Sequence, residues 1–231
     1  MQNSSRHVSF HPSTGLICLL LSVLPNNTSD FTVVHKRSTP FYQPTQDKLY
    51  NVSKINNREN YTRVTTVLYP FSGLEKLDPE VVAHAADRGT RVHKICEAII
   101  QGLGELGIDD ETRPYVESFK QWWEKGHEVV EMEKRFWCDE LRITGQVDLI
   151  IKTPDGLAIL DLKTSSSPSK TWPAQGAAYA YLAKNAGYEI KKIYFLHLLK
   201  TGKEARVHEY PVDDSFFFAI FKVFSHFFKK D

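Results

Sequence analysis

The amino-acid sequence predicts an α/β fold in which helices and strands alternate along the chain. Two apolar runs, at residues 147–151 and 157–162, flank the turn sequence Pro-Asp-Gly and together predict a β-hairpin. Residues 79–100 have the apolar spacing of a helix. Residues 192–199 (KIYFLHLL) are apolar on both faces, as expected for a strand in the middle of a sheet.

Length and composition indicate an ordinary globular protein. The 231 residues are enough for one sizeable domain and an extension. Hydrophobic residues make up 42% and charged residues 25%, which is typical of soluble domains. The net charge is +1, so the chain has no overall basic field that would attract a polyanion. Any nucleic acid must therefore be bound by a local group of basic residues.

The cysteines and one apolar segment bear on location. Cys18, Cys96 and Cys138 are odd in number and far apart, so they make neither a disulfide framework nor a zinc or iron–sulfur ligand set. We therefore expect a reducing, intracellular (cytoplasmic) location. Residues 15–24 (GLICLLLSVL) are too few to span a bilayer, and no small-residue cleavage site follows them. We expect no membrane association, and a signal peptide is less favoured than a buried strand or an appended segment.

The N-terminal part differs in composition from the rest of the chain. Residues 1–60 are rich in Ser, Asn, Thr and Pro and are predicted to be an arm that is partly disordered or docked. The periodic domain covers residues 61–231. It begins with residues 63–69 (RVTTVLY), which indicate a short strand or extended lead-in, and residues 70–78, which indicate a loop.

Two helices and a strand are predicted next. Pro79 suits the first position of a long helix, on which His93 and Glu97 lie four residues apart on one face. Taken alone, such a histidine is more often structural than a ligand. A second helix is predicted at residues 112–126 and a strand at 127–137. Alternation along the strand places its two central glutamates, at positions 131 and 133, on one face. From the pattern alone, the favoured interpretation is that this face is exposed to solvent.

Three charged residues interrupt the apolar runs of the hairpin: Asp148, Asp161 and Lys163. Because side chains alternate along a strand, Asp161 and Lys163 share a face, and a turn with an even number of residues places Asp148 there too. Two adjacent carboxylates repel each other, and their burial without a partner is costly. A divalent cation between them would remove the repulsion. The set therefore predicts a metal site with a lysine as catalytic base or charge clamp.

The C-terminal part completes the alternation. A helix is predicted at residues 171–187 with Thr171 as its cap, and Gln175 and Tyr179 project from one face of it. A strand is predicted at residues 205–210. The aromatic helix that begins near Ser215 is expected to pack as core, with a partner surface as the alternative.

With these elements in order, the chain resembles the PD-(D/E)xK nuclease superfamily, in particular its RecB-like exonuclease branch. Four motifs carry the resemblance: GTRVH at residues 89–93, GQVD at 145–148, DLKTS at 161–165 and QGAAY at 175–179. The resemblance implies an α/β (α+β) fold with a restriction-endonuclease-like core, in which helices flank a central mixed β-sheet on both sides.

The resemblance also implies roles for individual residues. Asp148 and Asp161 resemble the metal-binding carboxylates, helped by the backbone carbonyl of Leu162. His93 resembles the additional metal ligand of the RecB-like branch. Lys163 resembles the residue that orients or activates the attacking water and counters the developing phosphate charge.

Other residues are implied to support the site. Glu133, ahead of Glu131, resembles the first-strand carboxylate that some members add to the metal ligands. Gln175 and Tyr179 resemble the helix motif that supports the site and the substrate phosphate. Arg91 is a candidate for contact with DNA phosphates, although an ordinary solvated helix charge explains it equally well. The same two interpretations apply to Arg88, Lys94 and Lys170, and Trp172 could either stack on bases or start its helix.

The function implied by the resemblance is that of a metal-dependent deoxyribonuclease using Mg²⁺ or Mn²⁺. An exonuclease of DNA recombination, repair or phage-type replication is the leading hypothesis, and a structure-specific or restriction-like endonuclease is the alternative enzyme. A catalytically silent DNA-binding or scaffolding relative is the alternative outside enzymes, but Asp148, Asp161 and Lys163 are all intact. A zinc hydrolase using His93 and Glu97 would lack further histidine ligands.

Partners and cofactors follow from the same resemblance. Relatives with an iron–sulfur cluster use four cysteines, so with three we expect no cluster. The chain has no helicase motifs and no Walker A loop, so a helicase or recombination partner would be a separate protein. The expected substrate is DNA with a free end.

Overall fold

The computed structural model describes residues 60–228, which form a six-stranded mixed β-sheet with helices packed on both faces. The predicted architecture is confirmed. The arm predicted at residues 1–60 lies outside the described residues except for its last residue, as does the apolar segment at 15–24. The elements are β1 (Thr62–Arg63), α1 (Val64–Ser72), α2 (Pro79–Ile100), α3 (Arg113–Trp123), β2 (Glu128–Cys138), β3 (Ile143–Thr153), β4 (Gly156–Lys163), α4 (Trp172–Asn185), β5 (Ile190–His197), β6 (Arg206–Tyr210) and α5 (Ser215–Phe227).

The sheet is antiparallel at both ends and parallel in the middle. Strand β3 pairs antiparallel with β2 and β4, β4 pairs parallel with β5, and β6 pairs antiparallel with β5. The parallel pair needs a crossover connection, which α4 provides. The short β1 pairs in parallel with the first two residues of β3. Strand β5 therefore lies between two other strands, as its apolar sequence predicts.

The β3–β4 hairpin has the register expected from its sequence. Leu149 pairs with Leu160 and Thr153 pairs with Gly156, so the turn contains only Pro154 and Asp155. Gly156 adopts a φ of 124°, which a residue with a side chain rarely tolerates. A two-residue loop keeps an even count, so a regular continuation of the hairpin would place positions 148 and 161 opposite each other, one step beyond the last pair.

The helices form one apolar core on each face of the sheet. Helices α1, α4 and α5 pack on one face, and their core includes Val67, Ala178, Phe217 and Ile159. Helices α2 and α3 pack on the other face. The aromatic helix α5 is thus part of the core along one side, with Phe217, Ile220 and Phe224 buried.

The start of the domain differs from the prediction. The segment expected to be a strand followed by a loop is mostly helix α1, Val64–Ser72. Its β-branched residues favour a strand, but the buried positions Val64, Val67 and Leu68 have the i, i+3, i+4 spacing of a helix face. Burial of that face against α4 decides the outcome, and Gly73, at φ 77°, ends the helix.

The predicted helix starts are largely confirmed. Asp78 caps α2 by accepting a hydrogen bond from the Glu80 backbone N–H at 2.8 Å, and Pro79 is the first helical residue. Thr171 lies at the N-cap position of α4, but the expected side-chain cap is wrong, because its hydroxyl pairs with Ser169 Oγ at 2.9 Å. Within residues 60–228, no helix combines the length and the apolar character needed to cross a membrane.

Candidate metal centre

The candidate centre lies where strands β3 and β4 separate. Backbone pairing ends at Leu149 and Leu160, and the Asp148 carboxylate then accepts the Leu162 N–H at 2.7 Å through Oδ2. A side-chain oxygen thus replaces the backbone carbonyl that a continued hairpin would supply. At this interruption, carboxylates and the Leu162 carbonyl lie together in an otherwise continuous sheet.

The two aspartates face different helices. The Asp148 carboxylate lies beside His93 of α2, whereas Asp161 contacts Gln175 of α4. Val147 is buried in the α4-side core and Leu149 in the α2-side core, so β3 changes face at residue 148. The expectation that Asp148 and Asp161 share a face is therefore wrong. It assumed regular alternation, which fails at this irregularity.

Helix α2 brings His93 to the end of β4. The Nε2 atom lies 3.0 Å from the Leu162 carbonyl oxygen, and Nδ1 lies 3.5 Å from Asp148 Oδ2. Gly89 of the same helix faces Thr164: a Cβ there would lie 3.4 Å from the Thr164 Oγ1. His93, Leu162 and Asp148, which the sequence indicates as ligands, are therefore adjacent.

Glu133 completes this group from strand β2. One ligand atom from each of His93, Glu133 and Asp148 can be chosen so that all lie within 4.8 Å of one another. Glu133 has a φ of 50°, a strained value for a residue other than glycine. It lies between Met132 and Lys134 at a position that has no partner in the β2–β3 ladder. The irregular backbone directs this carboxylate to the centre.

Glu131 and Glu133 do not share an environment, contrary to the expectation of a common solvated face. Glu131 accepts a hydrogen bond from the Tyr188 hydroxyl and lies 3.3 Å from Lys134 Nζ. A register shift at residues 129–131 and the positive φ of Glu133 interrupt the alternation between the two.

Asp161 lies deeper than the other acidic groups. Its residue is 2% exposed, Oδ1 accepts a hydrogen bond from Gln175 Nε2 at 3.3 Å, and Oδ2 lies 2.6 Å from Lys163 Nζ. The lysine contact is an ion pair without hydrogen-bond geometry, so Oδ2 remains a buried acceptor without a hydrogen bond. Such an orphaned oxygen is costly in the free protein and is available to a cation.

Gln175 and Tyr179 support Asp161 from helix α4. Gln175 Nε2 also lies 3.1 Å from the Tyr179 hydroxyl. Tyr179 packs directly over Gly145, where a Cβ would lie 2.7 Å from the ring carbon Cε1. Burial, and then the charge of Asp161, raise the pKa of the Tyr179 hydroxyl, so it stays protonated and can donate. The glycine of the GQVD motif is thus needed for the helix to reach the site.

The acidic groups perturb one another. Burial, followed by the charge of Asp161, raises the pKa of Asp148 to about 7, while His93, Lys163 and the Leu162 N–H act in the opposite direction. Burial and then Glu133, to which Glu97 is hydrogen-bonded, raise the pKa of Glu97. The centre is therefore short of positive charge without a cation.

The donor set fits a hard divalent ion. Mg²⁺ binds oxygen ligands at about 2.0–2.1 Å in octahedral geometry, so adjacent ligands lie about 3 Å apart. In the metal-free protein His93 Nε2 and the Leu162 carbonyl oxygen are hydrogen-bonded to each other at 3.0 Å, so a bound ion would replace the shared proton. Carboxylate and carbonyl oxygens suit Mg²⁺ and Mn²⁺, and one imidazole is compatible with Mn²⁺.

The remaining sequence candidates are placed differently. Arg91 contacts Asp87, Asp109 and Glu111, while Lys94 and Lys170 are exposed. Trp172 is 3% exposed and stacks on a core phenylalanine, so base stacking is excluded in this conformation and the helix-entry alternative is correct.

Two residues at the centre were given no role in the nuclease site from the sequence. Gln146 donates a hydrogen bond to Glu133 and accepts one from Arg135, which connects the β2 and β3 side chains beside the centre. Its place two residues before Asp148 was the available signal. Glu97 was considered only with His93, as a ligand of the alternative zinc site, and its contact with Glu133 depends on how α2 packs against β2.

Comparison with known families agrees with this geometry. The chain matches the family model for the PD-(D/E)XK nuclease superfamily over residues 105–229, more than half of its length. It belongs to that superfamily, and membership implies a nuclease. The match includes the hairpin and α4 but not the helix that carries His93. No curated protein matches the chain.

Proposed function

We propose that the protein is a metal-dependent deoxyribonuclease of the RecB-like branch that acts as an exonuclease on DNA with a free end. The observation that carries the proposal is the convergence of His93, Glu133 and Asp148 next to the buried Asp161–Lys163 pair. Superfamily membership implies the nuclease class. The histidine on α2 supports the RecB-like assignment.

The residues have separate roles in this proposal. Asp148, Asp161, His93 and the Leu162 carbonyl hold Mg²⁺ or Mn²⁺, with Glu133 as a further ligand. An ion held by these residues would supply a water molecule of lowered pKa and positive charge for the phosphate. The irregular strands and the α2 contact keep these ligands in place before substrate binds.

Lys163 and the α4 residues act on the reacting groups. The Lys163 ammonium, held 2.6 Å from Asp161 Oδ2, orients the attacking water and donates to the phosphate oxygens as negative charge develops. The water oxygen bonds to phosphorus and its proton passes to solvent, while the bond to the leaving oxygen breaks and that oxygen takes up a proton from solvent. Gln175, hydrogen-bonded to Asp161 and Tyr179, keeps this carboxylate oriented.

The wider setting is part of the proposal. Residues 61–231 form the nuclease domain, and residues 1–60 form an arm. The protein works in the cytoplasm in DNA recombination, repair or phage-type replication, with any helicase or recombination partner on a separate chain. No iron–sulfur cluster is involved. Cys96 and Cys138 are free and buried in different cores.

The test is a digestion of end-labelled linear DNA and closed circular DNA, each single- and double-stranded, over a range of Mg²⁺ or Mn²⁺ concentrations. The wild type is compared with Asp161→Asn and Lys163→Ala. Lys152→Ala is the matched control, because Lys152 pairs with Glu128 at the surface, away from the centre. We expect release of nucleotides from linear DNA only, lost in the first two variants and kept in the control.

Two other results would contradict parts of the proposal. Cleavage of closed circles would establish an endonuclease instead. Retained DNA binding without cleavage in either metal would establish a catalytically silent relative. Thermal unfolding of each variant separates loss of chemistry from loss of fold.

A further inference from the structure

One flank of helix α2 carries a row of basic side chains that share contacts with one carboxylate, and Arg91 contacts Asp87 and Asp109 as well. Glu111, from the segment between α2 and α3, has its Oε1 3.6 Å from His84 Nε2 and 3.6 Å from Arg88 Nη1. Its Oε2 lies 2.5 Å from Arg91 Nη2. The three basic residues have i, i+4, i+7 spacing, so they form one continuous row along the helix.

Arg88 connects this row to the candidate metal centre. Its Nη2 donates to the carbonyl of Thr164, the residue after Lys163, over 3.4 Å. Its side chain is 18% exposed, and its Nε is buried without a hydrogen-bond partner. At 3.6 Å, the Glu111 contact is too long for a hydrogen bond. Arg88 therefore has five N–H donors and one long hydrogen bond, which leaves most of its donor capacity unused.

Glu111 has no local structural task that would explain its position. The neighbouring Asp109 does have one, because it accepts the Thr112 N–H at 2.8 Å and so closes the turn that starts α3. Among residues 60–228, the polar contacts of Glu111 are those with His84, Arg88 and Arg91. Its carboxylate therefore serves as an anion bound by the basic row.

We propose that Arg88 and Arg91 form a binding site for a backbone phosphate of the DNA strand, and that Glu111 occupies this site until the strand displaces it. The inference rests on the proposed function and adds a specific subsite to it. A phosphodiester has one negative charge and two free oxygens, as a carboxylate does, and arginine binds both in the same forked manner. The phosphate would satisfy the donors of Arg88 that Glu111 leaves unpaired.

The site would lie beside the candidate centre, not within it. Arg88 reaches Thr164 at the end of β4, and the row continues towards the start of α2, away from Lys163. Contacts with the phosphate backbone position a strand without reading its sequence. The subsite would therefore hold the strand in line with the centre for any DNA sequence.

The test compares Glu111→Gln with the matched control Asp110→Asn. Both remove one negative charge from adjacent positions of the same segment, but Asp110 is exposed and forms no ion pair with the row. Binding of a fluorescent single-stranded oligothymidylate is measured in Mg²⁺ at several salt concentrations. Every protein carries Asp161→Asn so that the oligonucleotide stays intact.

We expect Glu111→Gln to bind about ten-fold more tightly than its parent, with the salt dependence of log K steepened by about 0.7 for each added phosphate contact. Asp110→Asn should bind within about two-fold of the parent with an unchanged slope, since it exposes no new cation. Adding Arg88→Gln to Glu111→Gln should remove the gain. Equal effects of Glu111→Gln and Asp110→Asn would overturn the proposal and leave Glu111 as a purely structural ion pair.

A second measurement uses the protein with Glu111 in place, so it does not depend on whether Glu111→Gln folds. Hydrogen exchange of residues 101–112 is followed with and without the oligothymidylate. Displacement of Glu111 predicts faster exchange in this segment when the strand binds, and unchanged or slower exchange would contradict it. If the wild-type protein cleaves DNA but neither the tighter binding of Glu111→Gln nor the faster hydrogen exchange is seen, only the subsite fails. If it neither binds nor cleaves DNA, the proposed nuclease function fails.

Discussion

Helices α4 and α2 both supply side chains to the candidate centre, but the two helices are held in place by different interactions. Ten of the 14 residues of α4 are buried, so Gln175 is positioned by close packing on all sides. Only three of the 22 residues of α2 are buried, so His93 depends on a narrow apolar strip and on polar contacts. The position of Gln175 is thus set by close packing, and the position of His93 by polar contacts.

The glycines of the two helices show the same contrast. A Cβ at Gly176 of α4 would lie 2.3 Å from Ile193 Cγ2 and 3.0 Å from Phe195 Cε2, because the helix rests directly on β5. A Cβ at Gly89 of α2 would meet only the Thr164 Oγ1, at 3.4 Å. Helix α4 is therefore packed too tightly against β5 to shift. Between α2 and β4 there is more space, and polar contacts connect the two elements. The comparison suggests that α4 controls catalysis through rigidity and α2 through electrostatics.

The largest expected effect tests the packing of α4. Gly176→Ala forces a methyl group into the Ile193 side chain, and overpacking of this kind costs about 1–3 kcal/mol. We expect a lower midpoint of denaturant unfolding and reduced nuclease activity, because Gln175 moves with the helix. A variant as stable as the wild type would show that β5 can yield and that α4 is not rigidly held.

The next prediction separates the two helices by their kinetic effects. Gln175→Ala leaves Asp161 Oδ1 without its donor, so kcat should fall about 10–100-fold with little change in the metal concentration for half-maximal activity. His93→Ala should raise that metal concentration, with activity recovered at high Mn²⁺. Metal titrations of both variants check this. The reverse pattern would show that metal affinity depends on Gln175 more than on His93 and would break the comparison.

A smaller effect concerns the pH dependence of the α2 side. The pKa of Asp148 is raised from 3.8 to about 7, so between these values the folded, metal-free protein holds a proton that the unfolded chain does not. Its stability should therefore fall as pH rises from 4 to 7. The metal needs the carboxylate, so Mn²⁺ should raise Tm more at pH 8 than at pH 6. Differential scanning fluorimetry with EDTA or Mn²⁺ tests this, and Asp148→Asn should remove the dependence.

The smallest effect has the opposite sign to the first. Gly89→Ala places a methyl group where there is space and replaces glycine inside a helix, which should stabilise the protein by about 0.5–1 kcal/mol. Activity should be retained. Destabilisation measured by the same denaturant unfolding would mean that α2 packs as tightly on β4 as α4 does on β5, and the contrast would not hold.

Local patterns predicted the parts of this fold that depend on neighbours in sequence. The hairpin turn, the start of α2 and the pairing of Asp161 with Lys163 follow from composition and alternation. The helix α1 could not be predicted in this way, because its β-branched residues favour a strand and only burial against α4 makes it helical.

The centre shows the same limit. Alternation cannot anticipate the change of face at Asp148 or the positive φ of Glu133, since both arise where two strands are interrupted together. The three carboxylates around Arg91 come from α2 and from a segment about 20 residues further on, so their convergence depends on tertiary structure. The resemblance to the superfamily supplied the site residues that the pattern alone left open.

Asp148 closes the gap between β3 and β4 as well as facing the centre, since its carboxylate accepts the Leu162 N–H where backbone pairing ends. The residue would thus be retained by a descendant that is no longer a nuclease, because the hairpin itself needs the acceptor. Lys163 makes no such backbone contact, and its loss would leave the sheet intact. In distant relatives of this chain, an aspartate at position 148 is accordingly weak evidence for activity, while a lysine at position 163 is strong evidence.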